Sequence, residues 1–314
     1  MKKSIRIVFL FVAIISIFLI SNLNCSYAKE LVDGNIDAID YEVLIKKNSD
    51  VVVSEIWEVT LDTTVDSVEK EFDDNIVIKD VLVTEYDKDG NKKNDLTKTE
   101  GTSIDPSSYS VVKQAENKYK VVVRTEKVHE GKIYFLLTYT IENAVNFYND
   151  CAEININLQN DKFNFLTKEI SGRIMFESEL SSLDNINVWI HSNADSEFTM
   201  KSIEKINYYI DGNKNKENVS IRVTCPIELF ETENINVVLE NKLQDILEEE
   251  KNYVNNKLEI AKRDLIVNIV LLVIGVILII ILIVVIIIKK VKKSKLEPVK
   301  EENEIKENDI DKTE

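Results

Sequence analysis

The 314 residues carry a formal net charge of −16, with 30% charged and 44% hydrophobic side chains, a balance that fits a folded chain rather than a disordered one. Acidity on this scale repels polyanions, which excludes nucleic acid as a partner. Seven Gly leave little room for a glycine-rich phosphate loop, and no Cys or His pair has zinc spacing.

The chain opens with Lys2, Lys3 and Arg6, followed by an apolar core at Ile7–Ile20. Ser26 and Ala28 are the small residues a signal peptidase reads, so residues 1–28 are expected to be a signal peptide cut after Ala28. An uncleaved anchor is the alternative. Cys25 follows Asn24, not the small residue that lipid attachment requires.

From Ile36 to Phe230 the dominant period is two. Tyr41, Val43 and Ile45 alternate with polar residues, Asn48–Asp50 marks a turn, and Val51–Leu61 forms the next strand. Glu55 falls in phase with Val53, Trp57 and Val59, so it faces the core, where a carboxylate needs a partner. Residues 62–75 and 201–210 are candidates for short helices. Ile76–Tyr86 is a strand that enters Asp87-Lys88-Asp89-Gly90. That loop resembles part of a calcium motif, but it lacks flanking helices and a closing Glu, and a hairpin turn is the expectation. Further strands run through Tyr119–Val123, Ile133–Ile141, Ala152–Leu158, Ile170–Phe176, Ile186–Ile190 and Val219–Cys225. About nine strands without a long intervening helix predict a mainly β fold, an antiparallel β-sandwich-like domain over 29–230.

The stretch YFLLTYTIENAVNFYNDCAEININL resembles a signature of predicted bacterial membrane proteins whose N-terminal domain has no known function, number twenty-two hundred and seven in that series. The matching positions are Tyr139, Asn143, Ala144, Val145, Asp150, Ala152 and Glu153, with Glu55 in VVVSEIWEV upstream. The likeness covers about residues 36–225. It implies an extracytoplasmic β-domain on a membrane anchor and names no activity. This chain lacks the further spans and glycine-rich C-terminus of many relatives. Asn143–Asn149 reads as a connection between two strands, crossing between sheets, because Asn tolerates left-handed backbone.

Residues 231–264 show apolar positions at three- and four-residue steps, Leu239, Leu243, Ile246, Val254, Leu258 and Ala261, predicting an amphipathic stalk helix. Leu265–Ile288 is an uncharged run of 24 residues, long enough at about 1.5 Å per residue to cross a hydrocarbon core as a transmembrane helix. Lys289, Lys290, Lys292, Lys293 and Lys295 follow at once. Such a cluster stays in the cytoplasm and holds anionic lipid headgroups. The tail, 289–314, lacks hydrophobic periodicity and is expected to be disordered. The expected topology is single-pass, type I, in the cell membrane, with the N-terminal domain outside and the C-terminus cytoplasmic.

Chemistry in the sequence is sparse. His129 and His191 are lone histidines, expected on the surface. Glu55 and Asp150 are the acids of interest, as binding or structural groups. Cys151 and Cys225 are a possible disulfide, with free buried thiols as the alternative. No cofactor or metal is expected. The leading expectation is a non-catalytic binding or interaction domain for an unknown protein or envelope ligand. An accessory subunit of a larger membrane complex is the alternative, and a carboxylate enzyme using Glu55 and Asp150 is the third reading.

Overall fold

The structure is a computed structural model that describes residues 34–61, 67–72, 76–100, 105–115, 118–124, 131–160, 165–200, 204–212, 218–231 and 237–310. The expected signal peptide, residues 1–28, and His129 lie outside the described residues. In chain order the strands are β1 (Gly34–Ile45), β2 (Val51–Leu61), β3 (Val68–Glu71), β4 (Ile78–Tyr86), β5 (Lys92–Asp95), β6 (Thr97–Thr99), β7 (Ser108–Ala115), β8 (Lys118–Arg124) and β9 (Gly131–Ile141). Then come β10 (Val145–Tyr148), β11 (Ala152–Gln159), β12 (Leu166–Thr167), β13 (Ile170–Phe176), β14 (Asn187–His191), β15 (Ser196–Thr199), β16 (Ile206–Ile210), β17 (Val219–Cys225) and β18 (Val237–Val238). One long helix, α1 (Leu243–Ile310), closes the chain.

The strands form three sheets. The first runs β15-β16-β13-β1-β2-β9-β4-β5, with β12 also on β1; the second is β3-β8-β7-β6; the third is β14-β17-β11-β10-β18. The apolar face of the first sheet packs on the other two, and one contiguous core includes Tyr41, Trp57, Tyr109, Phe135, Tyr139, Ile154 and Val223. Alternation explains which side chains enter it. In β2, Val51, Val53, Glu55, Trp57 and Val59 are buried while the residues between them face outward. In β1 the parity slips between Ile36 and Ile39, both fully buried. A bulge between Ile36 and Ala38 absorbs the extra residue and turns Asp37 to the surface side, against Thr60, Lys132 and Lys168.

The mainly β, sandwich-like class is what the structure shows, with three differences. The sheets are mixed: β1 pairs with β13 in parallel, β10 with β18, and β6 with β7. Alternation encodes which face a side chain occupies but not the direction of the neighbouring strand. Neither candidate short helix forms where it is described, since 68–71 is β3 and 206–210 is β16. Strands β5, β6, β15 and β18 are short, and the first three are largely polar and exposed, so they carry little hydrophobic signal.

The crossing near Asn143 takes the expected form in a shorter span. β9 belongs to the first sheet and β10 to the third, and only Glu142–Ala144 joins them. Asn143 has φ 50°, and its amide donates to the Asp50 carboxylate at 3.0 Å. The Ala144 amide donates to the Ser49 carbonyl at 2.9 Å. The β1–β2 turn therefore anchors the corner. Burial raises the Asp50 carboxyl, but bonds from the Asn143 amide and Lys79 outweigh it and hold the group below its ordinary value.

Two compact units divide the chain, one spanning Lys29–Glu250 and the other including Lys251–Glu314. Helix α1 starts at Leu243, so the described residues 237–242 of the expected stalk do not join it, and Val237–Val238 pair with β10 instead. The stretch Leu243–Lys292 is long and apolar enough to cross a membrane. Leu265, Leu272 and Ile279 stand out from the helix at 59%, 68% and 59% exposure, which in water would be untenable for so many neighbours. Residues 289–310, expected to be disordered, continue the helix. They contain no Gly and are rich in Lys and Glu, which are strong helix formers.

Candidate functional site

Glu55 sits at 0% exposure on β2. Its Oε1 accepts from Lys70 Nζ and from the Tyr139 hydroxyl, both at 2.6 Å, and its Oε2 accepts from Trp57 Nε1 at 2.9 Å. Lys70 also donates to the Leu158 carbonyl at 3.0 Å, which takes a second bond from the Tyr41 hydroxyl at 3.0 Å. The ammonium lies 5.6, 5.5 and 5.7 Å from the ring centres of Tyr41, Phe72 and Tyr139. Glu55 comes from the first sheet, Lys70 from the second and Leu158 from the third, so one ion pair ties all three. Burial, and then the Glu55 charge, push the Tyr139 hydroxyl well above its ordinary value, so it remains a donor.

This centre is closed. The cavity beside Lys70 and Tyr139 holds about 10 Å³, the space of a single water. A fully buried carboxylate bonded to three donors from two sheets holds those sheets together. The in-phase position of Glu55 announces its burial. Lys70 carries no such signal, because VEKE in β3 reads as a polar segment.

Asp150 behaves differently. It lies in the β10–β11 turn, where its carboxylate accepts from the Lys242 amide at 2.8 Å and the Leu243 amide at 3.2 Å. It thus caps the first turn of α1 from a distant part of the chain. Burial is the largest single influence and raises the carboxyl, but the Lys242 and Leu243 amide bonds together outweigh it and hold the group below its ordinary value. Asp150 also lines a groove of about 510 Å³ with Asp184, Asn185, Asn187, Glu228 and Leu247. Cys151 and Cys225 border the same groove as free, buried thiols rather than a disulfide. Burial is the main cause that pushes Cys151 up to about 11 and Cys225 up to about 12, which leaves both protonated and unreactive at neutral pH.

A third cluster surrounds Arg222 on β17. Arg222 bonds Glu153 of β11 at 2.6 Å and Glu250 and Glu249 of α1 at 2.8 and 3.1 Å. Glu250 is 3% exposed, and its other oxygen meets His191 Nε2 at 2.8 Å. His191, expected as a lone surface residue, is thus part of this cluster. Sequence reading missed the arrangement because its members come from β11, β14, β17 and α1. The four polar positions of that signature each have a tertiary role: Tyr139 bonds Glu55, Asn143 turns the corner, Asp150 caps the helix and Glu153 holds Arg222. Glu55 and Asp150 do not meet in one site, since their bonding partners are entirely different.

Among the described residues no group of three or more His, Cys, Asp or Glu is arranged to hold a metal ion. The loop at Asp87 is the expected hairpin turn between β4 and β5, and Asp87 spends its carboxylate on the Asp89 and Asn91 amides. Lys289, Lys290 and Lys292 are exposed on α1; the side chains of Lys293 and Lys295 lie outside the described residues.

No curated protein matches the chain. Among solved structures, a putative protease from Parabacteroides distasonis ATCC 8503 is similar at a TM-score of 0.38 with 12% identity, over 62% of this chain and 40% of that one. An M1 zinc metallopeptidase from Deinococcus radiodurans is similar at a TM-score of 0.32 with 7% identity, over 60% of this chain and 42% of that one. The chain spans about two-fifths of the length of these structures, and likeness at that level does not bear on its activity. The family model described as "Predicted membrane protein (DUF2207) N-terminal domain" matches residues 35–225, which runs from β1 to β17 and leaves out only β18 among the described strands. The chain belongs to this family of predicted membrane proteins.

Proposed function

We propose that the protein is a non-catalytic binding or interaction module, anchored in the cell membrane by one span with the β-domain outside. The observation that carries this reading is the contrast between its two acids of interest. Glu55 is fully buried and bonded to three donors, whereas Asp150 borders an open groove of about 510 Å³. Buried acids here hold the fold together, and the accessible polar surface is a place for contact rather than proton transfer. The groove residues Asp150, Asp184 and Glu228 match a partner that presents amino or guanidinium groups. A signal peptide at 1–28, a stop-transfer role for Lys289, Lys290, Lys292, Lys293 and Lys295, and a cytoplasmic C-terminus complete the topology. The same lysines bind anionic lipid headgroups.

The test is crosslinking in intact cells with a membrane-impermeant reagent, followed by mass spectrometry of the captured chain. The expected result is a reproducible partner linked within residues 29–264, with sites near the groove. Absence of any link, with a known surface protein captured in the same cells, would overturn the outward placement. A partner linked only through the span and its flanks would favour an accessory subunit over a ligand-binding domain.

A further inference from the structure

The first two turns of α1, Leu243–Glu250, belong to the same compact unit as the sheets. Two of their attachments are indifferent to mild changes of pH. Ile246 is fully buried, and Asp150 caps the first amides. The third attachment is electrostatic and contains the one imidazole among the described residues. Glu250 lies between Arg222 Nη1 and His191 Nε2, each 2.8 Å from one of its oxygens. On the far side of the ring, Nδ1 is 3.4 Å from the Ser220 hydroxyl.

Among the described residues, the charged and titratable groups around this point come from four elements besides β14. Strand β17 supplies Arg222, β11 supplies Glu153, and β10 supplies Tyr148, whose hydroxyl donates to Glu153 at 3.1 Å. Helix α1 supplies Glu249 and Glu250. Among the described residues, three carboxylates therefore face one permanent cation. The state of His191 sets whether the cluster holds one positive charge or two.

We propose that His191 makes the docking of Leu243–Glu250 onto the third sheet sensitive to protonation. The contact with Glu250 is an ion pair only when the ring is protonated. Imidazole is the side chain whose charge changes between about pH 5 and 8. A neutral ring still donates one hydrogen bond through Nε2, but its Coulomb attraction to Glu250 is gone. Docking is therefore tightest under mildly acidic conditions and loosens as the ring loses its proton. The chain passes from Glu250 directly toward its span, so the device acts at the point where the β-domain ends. It operates whichever side of the membrane the domain occupies.

Hydrogen–deuterium exchange of the full chain in lipid nanodiscs tests this, with each amide rate divided by its intrinsic rate at the same pH. Opening of Leu243–Glu250 is expected to be about five-fold more frequent at about pH 8 than at about pH 5.5, the size of one partly exposed ion pair. His191→Gln is expected to remove that step. Amides of β2 and β9 supply the baseline and should show no step. Equal protection at both pH values in the native chain, the same step in H191Q, or a step shared with β2 and β9 would overturn the proposal. Should H191Q fail to fold, Glu250→Gln decides by the same readout, since a neutral amide at 250 must also abolish the step.

Discussion

Replacing Lys70 with Met tests whether the three-sheet centre is held by charge. Met has nearly the same length, keeps the contact with the Tyr41, Phe72 and Tyr139 rings, and removes the ammonium. Glu55, at 0% exposure, would then keep only the Tyr139 and Trp57 donors. Leaving one member of a buried pair uncompensated costs about 3–5 kcal/mol. The reverse change, Glu55→Gln, is expected to cost less, because the ammonium keeps the Leu158 carbonyl and three aromatic faces. The double change, with no net buried charge, should recover at least about 2 kcal/mol relative to the sum of the single changes. Urea unfolding of the full chain in detergent, followed by fluorescence, measures all three, and Trp57 reports from inside the centre. A K70M variant within about 1 kcal/mol of the native chain, or strict additivity in the double variant, would refute the electrostatic reading.

Gly172 packs under Tyr208, and a Cβ there would lie 2.5 Å from both the Tyr208 ring and the Tyr41 carbonyl. Gly172→Ala should therefore destabilise by about 2 kcal/mol or more, measured by thermal unfolding. The Tyr208 hydroxyl is buried without a hydrogen-bond partner among the described residues, so Tyr208→Phe should leave stability unchanged or raise it. Burial raises Asp37, but Lys168, Thr60 and Lys132 outweigh it and lower its carboxyl to about 2. A lowered folded value gives stability that is present above about pH 4 and lost as pH falls toward about 2. Acid unfolding curves should show this loss, and Asp37→Asn should flatten it. In the native chain Cys151 and Cys225 should resist alkylation at neutral pH, and both should label in denaturant without reductant. Failure to label there would reveal a disulfide.

Much of this protein is legible one residue at a time. Period-two alternation placed β1, β2, β9, β11, β13 and β17, because burial on one face of a strand is written locally. The same alternation put Glu55 among core residues, and the physical cost of an unpaired carboxylate demanded a partner. The uncharged run at Leu265–Ile288 marked, by its length and apolar composition, the helix able to cross a membrane. What remained hidden was every feature that depends on which elements become neighbours. Lys70 answers Glu55 only once the second sheet is laid on the first, and β13 runs parallel to β1 only after the chain has crossed through the third. Asp150 caps a helix 93 residues away, and Glu250 finds Arg222 and His191. Hydrophobic period fixes the face a side chain takes, whereas partners, strand direction and caps are set by packing between segments far apart in sequence.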